Sequence, residues 1–349
     1  MEAGLPFIPS GGARGEPMYT EQLGLTRTQV EQFETDGFVV VEDVIDPEYF
    51  APLMSDYSDI LDEVAADLLS HGEISTYDPT ADFQERVLDV VRQAGTLDLG
   101  PFDIILLQQN VHRDTPMYLG EAAFNIMRHP RLLDAVESLI GPEIYSNPIQ
   151  HIRLKVPLNL HDSKYHWSQG LGVSNTTSWH QDGAVTTEDS DDTKMITAWV
   201  AVTDVTEENG CLAVIPQSHI DGLAGHCVNP SGAGTGLVIP DHLIPVDKMT
   251  PLPVRAGGVI LFARHTMHRA LPNVSDSVRW SLDLRYQPTG QPTGRAFFPG
   301  FVARSRKDPS SELHDHAAWV KSWHEVREIF AERAMPKYNR WKSDAPWCA

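Results

Sequence analysis

Cysteine is scarce in this chain. Its 349 residues include three, Cys211, Cys227 and Cys348. That number is too small and too odd for a disulfide framework, so the expectation is a protein of a reducing, cytoplasmic interior. Positive charge is scarce as well: 27 lysines and arginines stand against 48 acids, a net charge of −21. Such a surface repels nucleic acid and anionic membranes, and neither is expected as a partner. No apolar run approaches the length that spans a bilayer. Residues 1–25 lack the basic start and apolar core of a secretion signal and are expected to be a flexible N-terminal segment. Also absent are a P-loop, a GxGxxG after a strand, a His-Glu-x-x-His helix and a CxxC pair.

What is present is an ordinary globular composition, with helical patterns first and short strands after. Residues 26–36 predict a helix, with Thr26 and Gln29 as a capping box and Gly37 as the left-handed stop. A buried strand follows at 38–41, then a helix opened by Asp46-Pro47 and running to about Leu69. Helices are expected at 83–94 and 130–140, with a strand-like apolar stretch at 103–107 and a polar cluster at 108–113 between them. From Ile144 onward strands and loops take over. Residues 150–156 alternate, putting His151, Arg153 and Lys155 on one face. Three cations on one face repel one another in a dry core, so they must face solvent or an anion. A long polar loop at 157–178 contains Tyr165, His166 and Trp167.

The acids at 188–192 read as a solvated loop. A strand at 195–204 carries Trp199. The turn Glu207-Glu208-Asn209-Gly210 suits a tight hairpin, with 211–216 as its return strand. An irregular lid or surface loop occupies 222–246. Gly257-Gly258 feeds a buried strand, 279–286 alternates as another, and 316–333 forms a last helix around Trp319, Trp323, Val326 and Phe330. Trp341 and Trp347 are expected to pack back on the body. Helices followed by many short strands indicate an antiparallel sandwich or jelly roll with flanking helices.

The chemistry centres on Trp179-His180-Gln181-Asp182. A histidine and an aspartate two apart share one face of an extended segment. With a third ligand from His265 or His268 they make a 2-His-1-carboxylate set, which leaves open positions on Fe(II) for a chelating anionic co-substrate and dioxygen. Zinc hydrolases use similar ligands, so the triad alone does not identify the metal. Loss of the carboxylate would free a position for halide, and this chain keeps Asp182. Arg279 lies on the strand after the histidine pair, where a guanidinium can grip the far end of a dicarboxylate. The plain alternative is a surface arginine on an edge strand.

Taken together, His180-Gln181-Asp182, Trp199-Val200-Ala201-Val202-Thr203-Asp204, Glu208-Asn209-Gly210-Cys211-Leu212, Ile215-Pro216-Gln217-Ser218-His219, and His268 with Pro272-Asn273 resemble the phytanoyl-CoA dioxygenase (PhyH) family. Asp36-Gly37-Phe38-Val39 and the helix from Pro47 match its opening, and the resemblance runs from about residue 26 to 287. It implies a mainly β protein with flanking helices around a double-stranded β-helix, a jelly-roll and cupin-like core. The implied layout is a flexible segment at 1–25, the catalytic domain at 26–290 and a C-terminal extension with one helix at 291–349.

The resemblance also implies Fe(II), 2-oxoglutarate and O2. His180, Asp182 and His268 are similar to the family's catalytic metal ligands, and His268 is preferred to His265 for its place before the Pro-Asn turn. Arg279 matches the arginine that holds the distal carboxylate of 2-oxoglutarate. Trp199, His151 and Lys155 fall where co-substrate contacts stand. Two departures are Ala270, where a small hydroxyl residue is common, and Gln217, where glycine is usual. The implied reaction is hydroxylation of an unactivated C–H of a small-molecule metabolite, with release of succinate and CO2. The same cofactors also serve desaturation, cyclisation and epoxidation. A non-catalytic jelly-roll binding protein and a zinc-dependent cupin-like enzyme are the remaining readings.

Overall fold

Thr26 opens the first helix as its spacing predicts. The computed structural model describes residues 24–106, 111–160, 177–228, 236–336, 340–341 and 344–348. In it Thr26 Oγ1 accepts the Gln29 amide while the Gln29 side chain accepts the Thr26 amide, closing the box over α1 (Arg27–Asp36). Gly37, at φ 82°, ends that helix. A 3-10 turn capped by Asp46 leads into α2 (Ala51–His71), which buries Leu53, Tyr57 and Leu61. Then come α3 (Phe83–Ala94), α4 (Glu121–Met127) and α5 (Pro130–Ile140). The sequence reading has no α4, a two-turn helix too short to show a period. Residues 103–106 form an irregular buried segment and not a strand; Asp103 there bonds the Ile152 amide.

The described residues contain thirteen strands: β1 (Phe38–Val41), β2 (Glu143–Ser146), β3 (His151–Lys155), β4 (Thr177–His180), β5 (Ile196–Ala201), β6 (Leu212–Val214), β7 (Cys227–Val228), β8 (Leu237–Val238), β9 (Thr250–Leu252), β10 (Val259–Ala263), β11 (His268–Ala270), β12 (Arg279–Pro288) and β13 (Phe301–Ser305). Seven build one antiparallel sheet in the order β1-β10-β5-β12-β2-β13, with β3 also on β12. Four build a second sheet, β4-β11-β6-β9. The fold is therefore mainly β, a jelly-roll core with flanking helices.

The ten-residue β12 is the spine. Its period of two divides it: Trp280, Leu282, Leu284 and Tyr286 enter the core shared with the helices. Arg279, Ser281, Asp283 and Arg285 take the other face. Directly opposite them stand Lys155, Arg153 and His151 on β3, and Trp199 and Thr197 on β5. A second apolar cluster joins Trp199, Ile260 and Phe262 of the large sheet to Leu212, Val214, Leu252 and Ala270 of the small one. The interior between the two sheets is thus apolar on one flank and charged on the other.

Residues 211–216 do not return beside β5. β10 and β12 already occupy both edges of β5, so the chain crosses to the small sheet, where β6 pairs β11 and β9. Asn209 shapes that crossing by bonding the Thr206 amide and the Asp204 carbonyl. The odd cysteine count conceals a pair. Cys227 and Cys348 form a disulfide across 121 residues, and Cys211 is buried and free. The C-terminal tail folds back to bring their Cα atoms to 5.6 Å, a proximity no spacing reveals. This pair removes the support that the cysteine count lent to a reducing compartment. Gln217 sits at φ 66°, which accounts for the usual glycine there.

The final helix, α6 (His316–Glu332), buries Trp319, Trp323 and Phe330 as its pattern predicts. β13, pairing β2, lies in a Pro/Gly-rich stretch whose sequence carries no strand period. No helix among the described residues is long and apolar enough to cross a membrane. The expected flexible start up to residue 23, the polar residues 108–110, the loop with Tyr165, His166 and Trp167, and residues 229–235 lie outside the described residues.

Gly257 ties the helical opening to β10. Its carbonyl accepts the Val44 and Ile45 amides, its φ is 82°, and an added Cβ would stand 1.9 Å from the Ile45 carbonyl oxygen. Gly257→Ala should therefore cost about 2–4 kcal/mol, read as a lower urea midpoint; an unchanged midpoint would contradict this packing.

Candidate active site

β4 and β11 run side by side with His180 directly opposite His268. His180 Nδ1 donates to the Ser178 carbonyl at 2.8 Å, and His268 Nδ1 donates to the Thr266 carbonyl at 2.9 Å. Both rings are thereby held in the tautomer that leaves a lone pair on Nε2. Just past β4 the backbone turns into a short 3-10 segment that begins at Asp182. Asp182 Oδ1 lies 3.9 Å from each Nε2, and the ligand atoms of His180, Asp182 and His268 all fall within 4.8 Å of one another in a buried group. His265 is not among them: it packs against the backbone of Gly183, and its carbonyl accepts the Gln181 side-chain amide.

Asp182 is the most constrained of the three. Arg285 grips it with both arms, NH2 to Oδ1 at 2.6 Å and Nε to Oδ2 at 3.1 Å, and the Thr197 hydroxyl also donates to Oδ2. Burial pushes the Asp182 pKa up, but the charge and hydrogen bonds of Arg285 outweigh it and hold the group far below the usual carboxylate range. Burial, aided by His268, pushes His180 well below the ordinary histidine value, so that ring is neutral. Two imidazole nitrogens and one ionised carboxylate, all buried, suit a divalent first-row metal ion.

A second charged group stands on the same inner face of β12. Arg279 is 4% exposed on a central strand, which excludes the surface-arginine alternative. Its Nη1 donates to the Gly210 carbonyl at 3.3 Å, its Cζ lies 5.2 Å from the centre of the Trp199 ring, and its Nε is buried with no partner among the described residues. Lys155, opposite it in register, donates to the Leu271 carbonyl. Among the described residues no carboxylate lies within ion-pair distance of either side chain. Burial, then the repulsion of Arg279, lowers Lys155 to about 6. Burial lowers Arg279 to about 10. A buried guanidinium without a counter-charge, with an amine opposite it that can take up a proton, is suited to receiving an anion.

His151 and Arg153, which the alternation sets on the Lys155 face, do meet anions. His151 Nδ1 bonds Asp103 at 2.8 Å, and Arg153 Nε bonds Asp283 at 3.3 Å. His151 is pulled toward Asp103, whereas Arg279, Lys155 and Trp199 form one cluster. Ala270 points into the apolar lining. Arg285 and Thr197 belong to no motif that marks them in the sequence. Arg285 stands six positions after Arg279 and Thr197 two before Trp199, even spacings that place each on the same strand face.

Comparison with known proteins follows the same line. The family model described as phytanoyl-CoA dioxygenase (PhyH) matches residues 33–281. The phytanoyl-CoA dioxygenase domain-containing protein 1 of Danio rerio is 26% identical over 262 residues, 73% of this chain and 87% of that protein. The ectoine dioxygenase of Bordetella parapertussis is 24% identical over 285 residues, 78% of each. Among solved structures, the non-heme monooxygenase ThoJ in its apo form superposes with a TM-score of 0.53 at 19% identity, covering 87% of this chain and 99% of that one, a likeness of fold.

The Asp182–Arg285 pair is testable in the metal-free protein. Arg285→Met leaves a buried carboxylate without its counter-charge and should cost about 3–5 kcal/mol. Asp182→Asn in the same background should restore part of that, giving a coupling of about 2 kcal/mol in a urea double-mutant cycle. Additive losses would show that the two side chains do not meet.

Proposed function

The chain belongs to the phytanoyl-CoA dioxygenase (PhyH) family of Fe(II)- and 2-oxoglutarate-dependent oxygenases, and we propose that it hydroxylates an unactivated C–H of a small-molecule metabolite. The observation that carries this reading is the buried convergence of His180, Asp182 and His268, with the buried guanidinium of Arg279 in the same interior and no carboxylate paired to it among the described residues. His180 Nε2, His268 Nε2 and Asp182 Oδ1 are the assigned metal-holding atoms. An Fe(II) ion held there supplies O2 activation coupled to the oxidative decarboxylation of 2-oxoglutarate to succinate and CO2.

The chain's own residues do the rest. Ser178 and Thr266 carbonyls aim the two imidazoles, and Arg285 with Thr197 keeps Asp182 ionised and fixed. Arg279 is assigned the distal carboxylate of 2-oxoglutarate, with Lys155 as an amine that takes up a proton when that carboxylate arrives and Trp199 as the wall beside it. Ile260, Phe262, Leu212 and Val214 keep that flank dry, which strengthens each of these charge interactions. His151, Arg153 and Asp283, less deeply buried, form a polar rim for substrate; Asp283 Oδ1 has no hydrogen-bond partner among the described residues. A relative named for a small-molecule substrate, ectoine dioxygenase, supports the metabolite reading.

The test is succinate formation from 2-oxoglutarate with Fe(II), O2 and a metabolite library. Turnover that needs all three, and that is lost in His180→Ala, is expected; no succinate under any condition refutes the reading. Arg279→Ala should raise the 2-oxoglutarate KM at least about tenfold by removing a charge-assisted bond, and an unchanged KM removes Arg279 from the site.

Lys155 adds a pH signature. Its lowered pKa leaves it neutral between about 6 and the ordinary lysine value, the range in which the unfolded chain holds one more proton, so stability rises with pH across that window. An arriving carboxylate favours the ammonium form, so binding takes up a proton in the same window. At pH 8 the anaerobic binding enthalpy of 2-oxoglutarate should vary with the ionisation enthalpy of the buffer, and Lys155→Met should abolish the variation. Buffer-independent heat in the parent protein would contradict the assignment.

A further inference from the structure

The C-terminal tail lies beyond the matched family region, and it reaches the metal-ligand segment from two sides. On one side, Arg340 pairs with Asp191 at 2.9 and 2.7 Å and donates from Nε to the Thr186 carbonyl at 3.0 Å. Trp341 Nε1 donates to the Ala184 carbonyl at 3.0 Å, two residues past Asp182. On the other side, the Trp341 indole packs on the His226 imidazole with ring centres 5.0 Å apart. Trp347 Nε1 donates to the His226 carbonyl at 3.2 Å, and Cys348 is bonded to Cys227.

His226 passes this grip to the site. Its Nδ1 donates to the Ala224 carbonyl at 2.8 Å, and its Nε2 accepts the backbone N–H of Gln181 at 3.0 Å. Gln181 is the residue between His180 and Asp182. Its side chain is held by the same segment, donating to the Gly222 carbonyl and accepting the Ala224 amide at 2.7 Å. A neutral ring with the proton on Nδ1 is the form that makes both His226 bonds, and burial lowers its pKa to about 4.

We propose that His226 is a positioning residue for the His180–Asp182 step, and that the tail fastened beside it by the Cys227–Cys348 disulfide is a redox-releasable latch on the metal site. The proposal rests on the reading that His180 and Asp182 hold the metal. Release requires a dithiol. One thiolate attacks Sγ of the half-buried Cys348, forming a mixed disulfide as the Cys227 thiolate leaves and takes a proton; the reagent's second thiol, losing its proton, then attacks the reagent's own sulfur and closes a cyclic disulfide as the Cys348 thiolate leaves and takes a proton, a two-electron reduction of the protein. With the covalent tie gone, the tail is held by its polar bonds and by Trp341 and Trp347 packing, and the Gln181 amide is less firmly held.

The test uses full-length protein with Co(II) as an oxygen-stable probe of the metal site. Three forms are compared with the oxidised parent: protein reduced with a dithiol, alkylated and desalted; Cys348→Ser; and His226→Ala. Each should bind Co(II) about 10–100-fold more weakly, and the amide of Gln181 should exchange hydrogen faster while the melting transition stays cooperative. His226→Gln, which keeps an acceptor, should recover part of the affinity. If the oxidised parent binds Co(II) in a His180-dependent manner and the reduced, Cys348→Ser and His226→Ala forms match it in affinity and exchange, the latch is refuted. If the oxidised parent binds no Co(II) through His180, the functional reading itself falls.

Discussion

The buried ion pair between Asp182 and Arg285 is the constraint on which the site depends. Asp182 follows a strand of the small sheet, and Arg285 lies on the spine of the large one. The pair therefore fastens the two halves of the jelly roll at the point where the ligand atoms meet. Replacing such a pair by apolar residues is often neutral or stabilising, so stability alone does not explain it. Its effect is positional. It fixes which way the carboxylate points, keeps it charged in a dry interior, and sets it equidistant from two imidazoles.

The rest of the interior follows from the alternation of β12. One face supplies Trp280, Leu282, Leu284 and Tyr286 to the helix-clad core, so the strand cannot shift register without exposing all four. That same register sets Arg279, Ser281, Asp283 and Arg285 on the inner face. Burial of the outer face thus fixes the spacing between the carboxylate holder and the anion site. The helices do not touch the chemistry, but their packing fixes the strand that positions it.

Much of this was legible in the sequence because it is local. The Thr26–Gln29 box, the strand alternation at 150–156 and 279–286, the stripe of Trp319, Trp323 and Phe330, and the His180–Asp182 spacing each follow from residues a few positions apart. The family resemblance then singled out His268, which the geometry brings to the cluster. What sequence could not show is set by contacts between distant segments. Residues 211–216 cross to the other sheet because both edges of β5 are taken. Arg285 and Thr197 are recognisable only once Asp182 faces them. Cys227 and Cys348 pair only because the tail folds back.

The central claim is that one interior holds both the three-ligand cluster and the anion site behind it. A crystal of the full chain grown anaerobically with Mn(II) and 2-oxoglutarate tests it most directly. The account predicts a single anomalous peak about 2.0–2.3 Å from His180 Nε2, His268 Nε2 and an Asp182 oxygen, with the distal carboxylate of 2-oxoglutarate on Arg279. A metal bound elsewhere, or a co-substrate whose distal carboxylate turns away from Arg279, would contradict it.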